Sequence, residues 1–466
     1  MTEDSNTNAL KASLYYVICS FIIKGISFIT TPFFSRILTQ SEYGYVSNFN
    51  SWLSILTIVT TLSLVASLIR ARFDFKDDYN SYVSTILTMG MIFSIICFAT
   101  IFLNIELFKK IFSLDTKYIL LLALCSIAQP AYDVFLQNQR FVYKYKLVTV
   151  MTVAVTLMSL ALSFLLLYIC DDNSWGMILG TQLPLIVSGI IIYIYYFCKS
   201  NSFKFLYCKY ALVICVPYIF HLLSGVILSS SDRVMITAIC GTKENAIYSM
   251  AYNIGLIINA IWMALNQAFS PWLGEKLNVK DYKPIKRVST YYMILFLVIV
   301  LGMMLAGPEA LMILGGHKYA ASKNLIPVIM LSYVVVFVDS LFVNILQYEK
   351  HTLGMACATV TSALVNILLN YMCIPRFGYT AAAYTTFISY GILLIMDVCL
   401  VKQAKFTHVY NTKRIFAILC VCSAMFLAVL VLYKYYLIRY IILLAYIVIV
   451  SVLTYKCRHM IKKIIC

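Results

Sequence analysis

Apolar stretches of about twenty residues follow one another along the whole chain, parted by short polar turns. A helical stretch of that length spans the ~30 Å hydrocarbon core of a bilayer. Backbone amides in lipid find no water, so each stretch must close its hydrogen bonds within itself. The chain therefore reads as an all-α, polytopic membrane protein, with 62% hydrophobic and 12% charged residues over 466 positions. About fourteen transmembrane helices can be placed, at 12–35, 45–69, 82–105, 118–138, 147–169, 175–198, 210–231, 246–268, 288–313, 324–346, 353–373, 379–400, 415–433 and 437–455.

No soluble domain interrupts these spans. The longest loops, around 70–81, 199–209 and 401–414, are short and basic. The net charge of +17 is spread over many such loops, which argues for membrane orientation and anionic lipid, not nucleic acid. With the N-terminus placed inside, 24 of the 36 Lys and Arg fall in inside segments and 11 in outside ones, Lys24 lying within a span. That bias puts both termini in the cytoplasm. The first eleven residues, MTEDSNTNALK, lack the basic run that opens a signal peptide, so the first span is expected to be retained. The 15 cysteines sit mostly in apolar runs without CxxC spacing or clustered histidines, and read as small packing residues rather than metal ligands. There is no GxxxxGK[ST] and no GxGxxG, so no nucleotide cofactor is expected.

Charges inside the spans are the informative exceptions, because burying them in lipid is costly. Lys24 follows Lys11 by 13 residues, roughly 20 Å along a helix and past the bilayer centre. Snorkelling does not reach that far, so Lys24 faces a packed bundle or a wet cavity. Arg36 ends the same span. His221 and Arg233 repeat the pair, again 12 residues apart and each 197 residues on. Arg36 and Arg233 read either as interfacial anchors or as planar forks suited to phosphate. His221 reads as a packing residue or as a titrating cavity group. Asp133 and Asp339 lie toward the cytoplasmic ends of spans 4 and 10. They pair with Arg140 and Lys350, or serve gating and coupling. Asp397 reads as a partner of Lys402. Proton or sodium coupling is left open.

The segment SRILTQSEYGYVS (35–47) resembles DRVMITAICGTKENAIYSM (232–250), and QNQRFVYKYK (137–146) echoes LQYEKHT (346–352). Spans 1–6 then correspond to spans 7–12. The division expected is a six-helix bundle over 1–205, a second over 206–402, related by a pseudo-two-fold axis, and two further helices over 403–466. A repeat with an even number of spans keeps its orientation, which places a substrate site between the copies.

Three stretches carry a family likeness: PFFSRILTQSEYG (32–44), SDRVMITAICGTKENAIYSMAYNIG (231–255) and NILLNYMCIPRFGYTAAAYTTFISYG (366–391). They resemble the polysaccharide transporter family, the Wzx-type flippases for O-antigen and capsule repeat units, within the multidrug/oligosaccharidyl-lipid/polysaccharide exporter superfamily. Thr39, Thr380 and Ser63 stand where that family usually has glycine. The resemblance implies a non-enzymatic carrier of the bacterial inner membrane. It would move undecaprenyl-pyrophosphate-linked oligosaccharide by alternating access and work beside a polymerase and a chain-length regulator. Lys24, Arg36, His221 and Arg233 would form its cationic cavity. A multidrug antiporter or a lipid II flippase of the same superfamily remains open. An antiporter would want acids at mid-span, whereas the deepest ionisable groups are Lys24 and His221. A membrane-embedded polymerase or ligase would want a large outer loop, and the outside loops are all short.

Overall fold

The computed structural model describes residues 25–465 except 27, 143 and 201; the side chains of 217, 221, 453, 454 and 456–465 are also outside the description. Among the described residues 89% are helical and none forms a strand. In chain order the helices are α1 (28–37), α2 (Gln40–Thr60), α3 (Leu68–Asp74), α4 (Tyr79–Leu103), α5 (Ile105–Phe112), α6 (Thr116–Phe141), α7 (Tyr145–Ile169), α8 (Asn173–Lys199) and α9 (Phe205–Ile239). They continue as α10 (Thr242–Asn278), α11 (Tyr282–Leu305), α12 (Gly307–Leu314), α13 (Ile326–Tyr348), α14 (Thr352–Phe377), α15 (Thr380–Gln403), α16 (Thr412–Leu432) and α17 (Tyr436–Ile465). Eleven described helices are long and apolar enough to cross a membrane, or twelve when the bent pair containing α2 and α3 counts as one span. The predicted first span lies largely outside the described residues.

The chain forms two compact units, Met1–Ala246 with Ile367–Tyr379, and Ile247–Asn366 with Thr380–Cys466. In the first unit, α7 packs on α8, α6 on α8, and α2 on α9. Lipid offers helices no hydrophobic gain on association, so close packing must hold them, and small residues allow it. A Cβ on Gly180 would stand 2.4 Å from Ser163 Cα, and one on Gly189 2.4 Å from the Ala128 carbonyl oxygen. These glycines let α8 touch α7 and α6 at backbone distance.

Helix starts are fixed by caps. Thr39 Oγ1 accepts from the Glu42 amide at 3.2 Å, and the Thr39 amide donates to Glu42 Oε2 at 2.7 Å, which closes a capping box at the head of α2. Span 2 breaks after Thr60 and bends by 46°. There is no proline here. Instead Leu62 and Ser63 take positive φ, 52° and 48°. The carbonyl of Thr60, released from the helix, accepts from Ser94 Oγ of α4 at 3.0 Å, and the Ser63 amide donates to Thr61 Oγ1 at 3.3 Å. Prolines are instead accommodated inside α6, α8, α10 and α14 at Pro130, Pro184, Pro271 and Pro375. Span 11, read from sequence as ending at 373, runs through Pro375 to Phe377.

In the second unit α13 is the central helix. Nearly all of its span is buried, and α11, α15 and α16 surround it. Phe296 stacks on Phe337 at 4.0 Å between ring centres. The last two helices are tied to the end of α11. Arg439 of α17, 4% exposed, donates to both carboxylate oxygens of Glu309 at 2.6 and 2.5 Å and to the Leu305 carbonyl at 2.7 Å. Tyr433 OH donates to the Met304 carbonyl at 2.6 Å.

The left-handed region costs an L residue ~1–2 kcal/mol, and glycine is free of that cost. Ser63→Gly is therefore expected to stabilise the detergent-solubilised protein by roughly 0.5–1 kcal/mol, and Ser63→Val to destabilise it. A thermal unfolding series reads both, and an unchanged or lowered midpoint for Ser63→Gly would show that the break is unstrained.

Candidate functional site

The polar groups of the first unit gather at the end where α2 begins. The turn from α9 to α10 comes against it. Asn245 Nδ2 donates to the Gly44 carbonyl at 2.9 Å and to Thr237 Oγ1 at 2.8 Å, and Asn245 is fully buried. A Cβ on Gly44 would lie 1.7 Å from the Thr242 carbonyl oxygen, so only glycine fits. Gly241, at φ +110°, makes the turn that presents this carbonyl. The two segments paired by sequence similarity, 35–47 and the start of 232–250, thus meet each other directly.

Around this seam the loops are pinned by charge. Asn173 Nδ2 donates to Glu42 Oε1 at 3.1 Å. Asp172 accepts from Lys117 Nζ at 2.6 Å and Tyr118 OH at 2.9 Å, and caps α8 through the Trp175 amide at 3.1 Å. Burial works against the Asp172 charge, but Lys117 and these donors outweigh it and hold the carboxyl below its usual range. At the opposite end Lys204 Nζ and Tyr207 OH each reach Asp78 at 2.5 Å. The Lys204 bond, then those of Ser81 and Tyr207, hold the Asp78 carboxyl well below the usual range.

Arg36 and Arg233 come to the seam's end of the unit. Arg36 closes α1 and is exposed, three residues before the Thr39 cap. Arg233 is half-buried six residues before the end of α9, with Nη2 3.5 Å from the Ser229 carbonyl. Its neighbour Asp232 is fully buried and accepts from Asn370 Nδ2 at 2.7 Å. Lys24 lies outside the described residues, as does the side chain of His221, whose backbone belongs to α9. Asp133 is held by Gln129 Nε2, which donates to both of its oxygens at 3.1 Å; Arg140, two turns on and exposed, acts on it electrostatically.

Asp339 lies elsewhere, deep in the second unit on α13. Lys350 is not its partner. Its carboxyl neighbours that of Asp397 on α15, and the two are 6% and 2% exposed. The reading of Asp397 as a partner of Lys402 gives way to this pair. Two neighbouring carboxyls buried away from water disfavour a double negative charge. One oxygen on each, Oδ1, is buried without a hydrogen-bond partner. Sequence reading missed Asp397 and Asn370 as site residues, although each is a polar side chain inside an apolar run, and that is the signal that finds them. Among the described residues no group of His, Cys, Asp and Glu is arranged to hold a metal ion.

Packed lipid-spanning helices, with buried acids and amides and a polar seam, define a multi-pass membrane transporter. Residues 9–276 match the family model described as "Polysaccharide biosynthesis protein", and 217–372 match the MatE model. The first match covers more than half of the chain: the protein belongs to this polysaccharide family, as a transporter of the wider multidrug/oligosaccharidyl-lipid/polysaccharide exporter superfamily. A Haemophilus influenzae protein named "Lsg locus putative protein 1" is 23% identical over 369 residues, covering 76% of this chain and 88% of its own length. A Shigella flexneri protein named "Putative O-antigen transporter" is 26% identical over 179 residues, 37% of this chain and 40% of its own. The structure titled "Lipid II flippase MurJ, inward closed conformation" shares the fold, with a TM-score of 0.70, 14% identity, and coverage of 96% of this chain and 99% of that one. The families and neighbours are transporters and flippases, not enzymes.

Gly44→Ala is expected to force the α2 start away from the α9–α10 turn at ~1–3 kcal/mol, the usual cost of overpacking. Asn245→Ala strips a donor from two buried acceptors, roughly 1–2 kcal/mol. Unfolding midpoints in detergent measure both, and two unchanged midpoints would show that the seam is not closed in solution.

Proposed function

We propose that this protein moves undecaprenyl-pyrophosphate-linked oligosaccharide across the bacterial cytoplasmic membrane by alternating access, for O-antigen, capsule or a related exopolysaccharide. Both termini lie in the cytoplasm in this reading, and a polymerase and a chain-length regulator take over the product. The observation that carries the proposal is the polar, glycine-lined seam between the two related segments, with Arg36 and Arg233 at its end. A sugar headgroup cannot cross hydrocarbon unpaired, since each buried hydroxyl costs on the order of kilocalories. A seam of amides, hydroxyls and carbonyls can exchange its bonds for water and admit such a group. Arginine forks supply the partners a pyrophosphate needs. Lys24 and His221 complete the cationic path. The polysaccharide family and the name of the Shigella relative support this cargo.

Coupling falls to acids. The Asp339–Asp397 pair holds one proton between two buried carboxyls, a group able to release and regain it as the second unit opens and closes. Asp133, with Arg140 on the same helix, gates the other unit.

The test is complementation of a flippase-null strain carrying its own repeat-unit locus. Lys24→Ala and Arg233→Ala are expected to abolish surface polysaccharide while the protein still inserts at normal level. Normal polymer in both strains would refute the cationic path. Rescue of a strain depleted of its lipid II flippase, without rescue of the polysaccharide strain, would reassign the cargo to lipid II. Separately, Asp339→Asn and Asp397→Asn are each expected to lower transport by tenfold or more in proteoliposomes driven by a pH gradient. Retention of gradient-driven transport in both would remove the pair from coupling.

A further inference from the structure

The first unit contains an apolar groove of about 330 Å³ that none of the proposed transport residues lines. Its floor is one stripe of α4, formed by Met89, Ile92, Phe93 and Ile96, the i, i+3, i+4, i+7 face of a helix. Leu212 of α9 and Phe203, just before α9, form one wall. Leu62, at the break of span 2, closes the far side, and its positive φ places it there. The groove exists because span 2 bends away at this point instead of covering α4.

Its direction can be fixed. Thr85 Oγ1 donates to the Ser202 carbonyl at 3.2 Å and accepts from the Lys204 amide at 3.2 Å, which sets Phe203 level with Thr85. The groove then runs from that level to Ile96, 11 residues or roughly 16 Å along α4. It points along the helix axis, from the basic end of the unit into the hydrocarbon. Ile92, Ile96 and Phe203 are 46%, 57% and 55% exposed along it.

Cations surround the mouth. Lys209 is exposed one turn before Leu212 on α9, and Lys76 and Arg72 lie in and before the turn into α4. Lys204 pairs with Asp78 and Arg70 with Asp74, which leaves Asp77 as the remaining acid of that turn. The end of α6, the start of α7 and the end of α8 add Arg140, Lys144, Lys146 and Lys199 at the same level.

We infer that this groove is a binding site for one acyl chain of an anionic phospholipid, with the phosphate at Lys209. The groove's length, roughly 16 Å, is about half of the ~30 Å hydrocarbon core, the depth of one leaflet. That suits one acyl chain lying along the membrane normal. An undecaprenyl chain is several times longer, so the groove is not shaped for the cargo tail. Charge at the mouth selects the headgroup, as basic residues beside a membrane select anionic lipid. The inference rests on the first unit alone and stands whatever the cargo is.

Native mass spectrometry of the full chain, released from nanodiscs of equal phosphatidylglycerol and phosphatidylethanolamine, tests it. One retained phosphatidylglycerol is expected, favoured at least tenfold over phosphatidylethanolamine. Ile92→Trp and Leu212→Trp fill the groove and should remove the adduct. Lys209→Glu should keep a lipid but lose the headgroup preference. Equal retention of both lipids by the unaltered protein, an adduct with the mass of a polyprenyl phosphate, or an adduct that survives both tryptophans would overturn the site. A photoactivatable phosphatidylglycerol added to the unaltered protein should label residues 89–96, and labelling elsewhere would overturn it even if a tryptophan variant failed to fold.

Discussion

At the head of α2 a main-chain carbonyl, a buried amide side chain and the turn after α9 crowd so closely that a single methyl group has no place. This contact determines how the first unit is built. It requires Gly44 at one position and a positive φ at Gly241 opposite. It sets the level at which Thr39 caps α2, and so the level of Arg36. On the other side it brings Arg233 and Asp232 of α9 to the same end. Its bonds are amide to carbonyl and amide to hydroxyl. Water can replace such partners at small net cost. The contrast is with Gly180 on Ser163, where backbones meet inside the span and lipid offers no replacement partner. One unit therefore holds two close contacts of different chemistry, a backbone joint inside the span and a polar seam at its end.

The second unit is organised from its middle. Polar groups are strung along α13 and find partners on α10 and in the turn before α16. Ser340 accepts from Trp262 at 3.0 Å, Asn344 donates to Asn266 at 2.8 Å, and the Leu341 carbonyl accepts from Tyr410 at 3.1 Å. Such bonds are worth about 1 kcal/mol each in a membrane, yet a slip of one turn would break all of them at once. They fix the register of α13 more than its affinity for neighbours. Asp339 stands in the midst of this set, directly before Ser340, with its position imposed by residues that have no charge to move. The carboxyl pair is thus framed by bonds that involve no charge of its own.

The helical, lipid-embedded class of fold was legible because apolar length is a local property of the chain. The likeness of 35–47 to 232–250 was legible for the same reason, and the structure brings those segments together. Contacts between distant positions were not legible. Asp397 and Asp339 sit on separate helices, and the nearer Lys402 offered a local partner that the fold does not use. Arg439 looked like a loop charge because Lys434 and the short turn beside it blurred the last two spans; it is a buried clamp on Glu309. Span 11 reads from sequence as ending at 373, yet α14 continues through Pro375 to Phe377. Ser63 held the clue to the broken span, standing where the family usually has glycine, but a serine in an apolar run does not announce a left-handed turn.

The two ways in which this chain interrupts its helical hydrogen bonds have different consequences. A proline removes a backbone donor for good, so the gaps at Pro130, Pro184, Pro271 and Pro375 are built into the covalent chain. The break after Thr60 removes nothing. Every amide there remains a donor, and the groups it frees are taken up by side chains: Ser94 on the Thr60 carbonyl, Thr61 on the Ser63 amide. Those bonds compete with the ones a continuous helix would make. The bent form also carries two L residues in a region that costs each of them ~1–2 kcal/mol. The balance between bent and straight is thus set by a few side-chain bonds and by whatever fills the space that the bend uncovers beside α4.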